Sequence, residues 1–142
     1  MSMSSAPNDD SPNESQDAGG QVDILSGRRV LIVEDDPFIA MALEDTLLDF
    51  DMRVAGVASN LREAERLARE SDFDVALLDV NIGHDTIDPV ADAVSARGLP
   101  FVFTTGHGRA GLPEAYRDRA IVEKPFYVEE ILRALREELQ RA

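Results

Sequence analysis

Cysteine is absent from the 142 residues, which excludes a disulfide framework and thiol catalysis. Long hydrophobic runs are also absent, since no apolar stretch approaches the roughly 20 residues that a membrane-spanning helix needs. The first ten residues contain neither a basic residue nor an apolar run, so the pattern of a secretory signal is missing. These absences, with a length that suits one domain, predict a soluble cytoplasmic protein.

Positive charge is scarce as well: 28 acidic residues oppose 14 basic ones, and the formal net charge is −14. Such a field repels nucleic acids and anionic membranes, so we expect neither as a partner. Residues 1–26 are rich in Ser, Asp, Asn, Pro and Gly, and they contain no basic residue. A segment of this composition buries too little apolar surface to offset the entropy lost on ordering. We predict a disordered acidic tail over residues 1–26 and one folded domain over residues 27–142.

Within that domain, short apolar runs alternate with segments of helical periodicity. The predicted strands are 30–33, 53–58, 75–78, 100–104 and 120–122; helices follow Asp36 and Asn60 and cover 89–97 and 127–140. Glycine and proline between residues 106 and 120 leave room only for a short or irregular fourth helix. The alternation predicts an α/β fold, a (βα)5 doubly wound parallel sheet with the flavodoxin-like order 2-1-3-4-5.

Side chains able to do chemistry follow four of the five predicted strands. They are Glu34, Asp35 and Asp36 after the first, Asp79 and Asn81 after the third, Thr104 and Thr105 at the end of the fourth, and Glu123 and Lys124 after the fifth. Ligands of such sheets bind beyond the carboxyl ends of the strands. Carboxylates gathered there repel one another unless a cation intervenes, and Mg²⁺ prefers oxygen ligands of this kind. Lys124 and Thr105 would add an ammonium and a hydroxyl, which together suit a phosphoryl group.

These motifs resemble those of receiver domains of two-component response regulators. The matching segments, in order along residues 28–142, are Val33-Glu34-Asp35-Asp36, Leu77-Leu78-Asp79-Val80-Asn81, Thr105-Gly106 and Lys124-Pro125-Phe126. Each motif alone has little specificity. All four in the right order, each at a strand end, make the resemblance strong.

The resemblance implies a role for each matching position. Asp79 would be the phosphoacceptor, and Lys124 would pair with the phosphoryl oxygens. Asp35 would be the direct Mg²⁺ ligand, Glu34 a second acid acting through water, and Asn81 a ligand through its backbone carbonyl. Thr105 would supply the switch hydroxyl, and Pro125 would be a cis-proline. Asp79 would bind the ion as well. Asp36 is then expected to cap the first helix.

The resemblance also implies partners rather than free substrates. A histidine kinase would donate the phosphoryl group, and the domain would assist its own phosphotransfer and autodephosphorylation without being an enzyme. No output domain follows Gln140 in this sequence. We therefore expect a stand-alone regulator, a monomer or weak homodimer, that signals to a downstream protein or phosphotransfer protein, or acts as a phosphate sink.

Phe103-Thr104-Thr105-Gly106 is further similar to a Phe-Ala-Thr-Gly motif of some single-domain receivers. That likeness would imply donors of the HWE or a related histidine kinase type. Thr104 replaces the alanine, however, and His107 and Gly108 stand where an aromatic residue is expected. Ile121 likewise occupies the switch position that is often aromatic, so coupling from Thr105 to the surface must use another route.

Two other interpretations stay open. A haloacid-dehalogenase-type phosphohydrolase also uses Mg²⁺ and an aspartate at a strand end, but its general acid would fall on Asn81, which cannot donate a proton in that role. A pseudo-receiver would keep the fold as an interaction module without accepting phosphate. Loss of the acceptor, the acids or the lysine would mark it, and all of them are present.

Overall fold

The computed structural model describes residues 23–142. Its strands and helices, in chain order, are β1 (Arg29–Val33), α1 (Pro37–Asp49), β2 (Arg53–Ala58), α2 (Leu61–Glu70), β3 (Val75–Asp79), β4 (Asn81–Ile82), β5 (Asp85–Thr86), α3 (Asp88–Ala96), β6 (Phe101–Thr105), β7 (Ile121–Glu123) and α4 (Val128–Arg141). Among these residues, no helix combines the length and apolar character needed to cross a membrane.

Five strands form one parallel sheet in the order β2-β1-β3-β6-β7. This is the predicted doubly wound order, because β6 and β7 are the fourth and fifth strands of the sheet. The direction of winding changes between β1 and β3. Ligands of such sheets bind in the crevice outside the carboxyl ends at this point. The residues that follow β1 and β3 therefore lie at the crevice.

Helices cover both faces of the sheet, so the core has two layers. Leu31, Ala76 and Leu78 pack on one side, in the layer beneath α2 and α3. Ile32 and Leu77 alternate with them and pack on the other side, beneath α1 and α4. β3 and β6 are buried along their whole length for this reason. The rigid central strands thus fix the position of the side chains at their ends.

The starts of the first two helices agree with the sequence. Asp36 Oδ1 accepts hydrogen bonds from Phe38 N at 2.9 Å and from Ile39 N at 3.3 Å, and Pro37 occupies the first turn. Asn60 Oδ1 accepts a hydrogen bond from Glu63 N at 2.9 Å. Both side chains satisfy amide groups that a helix cannot pair internally. Asp36 is therefore committed to α1, as expected.

The domain begins earlier than the boundary we predict. Most of the predicted tail lies outside the described residues, but residues 23–26 form a turn packed on the domain. Leu25 is fully buried, and Asp23 Oδ2 lies 2.7 Å from Arg136 Nη2 on α4. The composition of the segment does not predict these contacts, because a single apolar side chain and a single ion pair attach an otherwise polar segment to the domain.

The segment between β6 and β7 contains two short 3₁₀ turns, Arg109–Gly111 and Glu114–Tyr116, and no α-helix. The expected irregular fourth helix is confirmed in this form. Leu112 and Tyr116 are buried and attach the segment to the core.

Candidate functional site

Three carboxyl groups meet at the carboxyl ends of β1 and β3. One oxygen from each of Glu34, Asp35 and Asp79 lies within 4.8 Å of the others. Glu34 and Asp79 are buried, whereas Asp35 faces solvent. The predicted acidic cluster is thus present, with two of its members withdrawn from water.

Lys124, the only lysine of the chain, lies between the two buried acids. Its Nζ is 2.9 Å from Glu34 Oε1 and 3.0 Å from Asp79 Oδ2, to which it donates a hydrogen bond. Burial acts to lower the pKa of Lys124, but the hydrogen bonds and charges of Glu34 and Asp79 outweigh it and raise the pKa. The lysine is therefore a fixed positive charge beside Asp79.

This lysine does not fully compensate the cost of burying the Glu34 carboxylate. Burial raises its pKa to about 7, helped by the nearby charge of Asp79 and opposed by Lys124 and by the Asp36 N–H, which donates to Oε2 at 3.1 Å. Its Oε1 is buried, and the Lys124 ammonium at 2.9 Å is its close partner. One ammonium shared between two buried carboxylates leaves their burial only partly compensated, so a further cation beside them would be stabilising.

The donor set fits Mg²⁺. It consists of carboxylate oxygens from two strands, with a backbone carbonyl available next to Asp79, and contains neither sulfur nor imidazole. Asn81 N donates to Asp79 Oδ1 at 3.2 Å, which places the Asn81 backbone beside the acceptor. The residues that could hold the ion are Asp35, Asp79 and the Asn81 carbonyl, with Glu34 behind them.

Asp35 has a neighbour that the sequence interpretation did not include. β4 and β5 pair as a short antiparallel hairpin, and Gly83 N at its tip donates to Asp35 Oδ2 at 2.9 Å. The two-residue connection between Ile82 and Asp85 begins with glycine, which is typical of tight hairpin turns. That pattern was available in the sequence, but two-residue strands have too little periodicity to be noticed.

Thr105 is fully buried, and its hydroxyl contacts the loop after β6. It accepts a hydrogen bond from His107 N at 3.0 Å and donates one to Gly108 O at 3.4 Å. Thr104, rather than Thr105, is paired with Asp79 in the register of β3 and β6. The structure therefore brings Glu34, Asp35, Asp79 and Lys124 together and places the Thr105 hydroxyl on the loop.

The strand that carries the lysine is fixed by backbone contacts. Lys124 N donates to Thr105 O at 2.7 Å, and the Lys124–Pro125 bond is cis, as predicted. Ile121 is half-buried at the start of β7. Tyr116, in the segment before β7, packs on Phe101 and Phe103 and donates a hydrogen bond to Asp92 on α3.

Comparisons with known proteins agree with this geometry. Residues 30–136 match the family model described as the response regulator receiver domain. The chain is 33% identical over 112 residues to the transcriptional regulatory protein PdtaR of Mycobacterium tuberculosis, covering 76% of this chain and 55% of PdtaR. It is 31% identical over 114 residues to the phyllosphere-induced regulator PhyR of Methylorubrum extorquens, covering 78% of this chain and 43% of PhyR. The chain thus spans about half the length of these curated relatives.

Among solved structures, the solution structure of SdrG from Sphingomonas melonis aligns with a TM-score of 0.70 at 38% identity, covering 82% of this chain and 98% of SdrG. A second SdrG structure, of its BeF3-activated conformation, aligns with a TM-score of 0.65 over 78% of this chain and 94% of SdrG. The family match spans most of the described chain, and the strand order and acidic cluster are those that the motifs predict. The chain belongs to the response regulator receiver domain family.

Proposed function

We propose that the domain is a phosphorylation switch that accepts a phosphoryl group on Asp79 in the presence of Mg²⁺. One observation carries the proposal: the Asp79 carboxylate ends β3 with Lys124 Nζ 3.0 Å from its Oδ2 and two further carboxyl groups beside it. This arrangement supplies a nucleophile, a fixed cation and oxygen ligands for a metal ion in one crevice.

The chemistry follows from these neighbours. An Asp79 oxygen attacks the phosphorus of a phosphohistidine; a P–O bond forms, the P–N bond breaks, and its electron pair returns to the imidazole of the donor. Lys124, whose Nζ lies 3.0 Å from Asp79 Oδ2, would pair with the phosphoryl oxygens. Mg²⁺, when bound, would neutralise negative charge on the transferring group. Water later attacks the phosphorus, the bond between it and the Asp79 oxygen breaks, and phosphate leaves; the same site would assist this autodephosphorylation.

The response would pass through Thr105 to the loop after β6. A phosphoryl group adds about −1.5 to −2 charges and strong acceptor oxygens. If the Thr105 hydroxyl turns toward them, His107 N and Gly108 O lose the partner they now have. Phosphorylation would then shift the equilibrium between two conformations of the loop, as it does in other phosphorylation switches. SdrG, which is 38% identical to this chain, has been solved in a BeF3-activated conformation, so a similar domain has an activated state.

The partners would be proteins. A histidine kinase, of the HWE or a related type, would donate the phosphoryl group, and a downstream or phosphotransfer protein would receive the signal or the phosphate. An exposed apolar side chain supports protein docking at the crevice: Phe38 stands on its rim and is 81% exposed. A cavity of about 560 Å³ continues from it between α1 and α4. A kinase that reaches Asp79 must cover this rim.

The test is phosphorylation by a small donor. The protein is incubated with acetyl phosphate, with and without Mg²⁺, and its intact mass is compared with that of Asp79→Asn. We expect a gain of one phosphoryl group that requires both Mg²⁺ and Asp79. No gain from acetyl phosphate or from any of a panel of phosphorylated histidine kinases would favour the pseudo-receiver. A gain that persists in Asp79→Asn would place the acceptor elsewhere.

A further inference from the structure

We propose that the tip of the β4–β5 hairpin, at Gly83, supports the cation site through Asp35. The Gly83 N–H positions the Asp35 carboxylate, so cation binding and hairpin order are coupled. The inference rests on the proposed function, because it concerns the Mg²⁺ ion that phosphoryl transfer would require. Gly83 is a positioning residue in this proposal, since it acts on the ion through Asp35.

The contact joins two segments that are distant in sequence. Gly83 N donates to Asp35 Oδ2 at 2.9 Å across the mouth of the crevice. The hairpin is fixed up to the turn, because Ile87 N donates to Val80 O at 3.1 Å beyond its base and Ile82, directly before Gly83, is buried. The tip itself, Gly83 and His84, is exposed. Of the described contacts, the hydrogen bond to Asp35 is the one that ties the tip to the acidic cluster.

Asp35 needs such a contact more than its neighbours do. Glu34 and Asp79 are buried and are both held by Lys124, whereas Asp35 is exposed in the turn between β1 and α1. A carboxylate has about four acceptor positions, so it can accept the Gly83 N–H and bind a cation at the same time. Partners that orient a ligand in this way are typically worth about 10- to 100-fold in metal affinity.

The backbone conformation at position 83 favours glycine, although there is room for a larger side chain. Its φ is +61°, and a Cβ added there would meet nothing within 4 Å. A β-branched residue strongly disfavours this left-handed conformation, so Gly83→Val should shift the tip and the N–H without introducing a clash. Gly98, after α3, has φ +71° and equally open surroundings, far along the chain from the acids. Gly98→Val is therefore a control with the same backbone strain.

The experiment measures Mg²⁺ affinity by NMR titration or calorimetry in wild type, Gly83→Val and Gly98→Val, after circular dichroism has shown each to be folded. We expect Gly83→Val to weaken Mg²⁺ binding by about tenfold or more. Gly98→Val should stay within about twofold of wild type. Equal affinities in Gly83→Val and wild type would overturn the inference while leaving the cation site intact. If the wild type itself binds no Mg²⁺ at millimolar concentration, the proposed cation site and this inference both fail.

Asn81 lies in the same hairpin, so the route of the effect needs a second measurement. In an Asp35→Ala background, Gly83→Val should cost much less affinity than in wild type, because the carboxylate that the N–H positions is gone. An unchanged cost would assign the effect to the Asn81 carbonyl and overturn the role of Gly83.

Hydrogen exchange on the unmodified protein provides a test that needs no variant. Mg²⁺ should slow exchange of the Gly83 amide and its hairpin neighbours, and leave the Gly98 amide unchanged. Exchange at Gly83 that is insensitive to saturating Mg²⁺ would contradict the coupling.

Discussion

Lys124 Nζ lies 3.0 Å from Asp79 Oδ2, and the same ammonium is 2.9 Å from Glu34 Oε1. One cation thus serves two buried acids that reach the crevice from different strands. Without a metal ion, it is the main compensation for their charge. The acceptor site is therefore a source of instability in the resting protein, and its stability should respond to mutation and to pH.

Removal of the lysine charge should destabilise the metal-free domain. Lys124→Met leaves Glu34 and Asp79 facing each other without a counter-ion, which we expect to lower the free energy of unfolding by about 1–3 kcal/mol, less than for a fully buried pair. Urea denaturation in a chelating buffer measures this change. Arg62→Met removes a basic residue from the exposed face of α2 and should stay within about 0.5 kcal/mol of wild type. Equal stability of the two variants would contradict the prediction.

Glu34 should make the metal-free protein less stable as the pH rises from about 4.5 to about 7. Burial raises the pKa of Glu34 from 4.5 to about 7 on folding. The folded state therefore binds the proton more tightly than the unfolded chain in this range, and stability present below pH 4.5 is lost as the pH passes 7. The urea midpoint measured from pH 5 to pH 8 in chelator should fall, and Glu34→Gln should flatten the fall. The same slope in Glu34→Gln would exclude Glu34 as its source.

Most of the fold and the acidic cluster could be predicted from the sequence because their causes are local or periodic. Asp36 and Asn60 cap helices by contacts within three residues, and residues 75–78 of β3 are all apolar because both faces of the strand are covered. Parallel topology then brings the residues after β1, β3 and β7 to one edge without any knowledge of side-chain contacts.

What could not be predicted depends on single long-range contacts. Leu25 anchors the segment before the domain by one buried side chain, and Gly83 meets Asp35 through one backbone hydrogen bond. Tyr116 reaches Asp92 across a segment whose glycines and prolines indicate only irregular structure. None of these contacts produces a periodic pattern in the sequence, so they cannot be predicted from composition or residue spacing.

Tyr116 should hold the irregular segment between β6 and β7 on the domain. Burial, helped by its hydrogen bond to Asp92, raises the pKa of the Tyr116 phenol, and the phenol stays a hydrogen-bond donor at neutral pH. Tyr116→Phe keeps the ring among Phe101 and Phe103 but leaves the Asp92 carboxylate without its donor. We expect faster hydrogen exchange over residues 106–120 and a loss of about 0.5–1.5 kcal/mol in stability, because Asp92 is exposed and its carboxylate regains water. Tyr127→Phe, at a residue that is 76% exposed, is the matched control and should change neither quantity.

Thr105 should separate phosphorylation from the response to it. Thr105→Val keeps the shape of the buried side chain but removes the hydroxyl that now bonds His107 N and Gly108 O and that would turn toward the phosphoryl group. Because the Asp79 and Lys124 contacts are untouched, the variant should still gain one phosphoryl group from acetyl phosphate. Addition of beryllium fluoride with Mg²⁺ should shift the amide resonances of residues 106–116 in wild type and in Thr105→Ser, but much less in Thr105→Val. Equal shifts in all three proteins would mean that the loop senses the acceptor by a route that bypasses this hydroxyl, and the role assigned to Thr105 would be wrong.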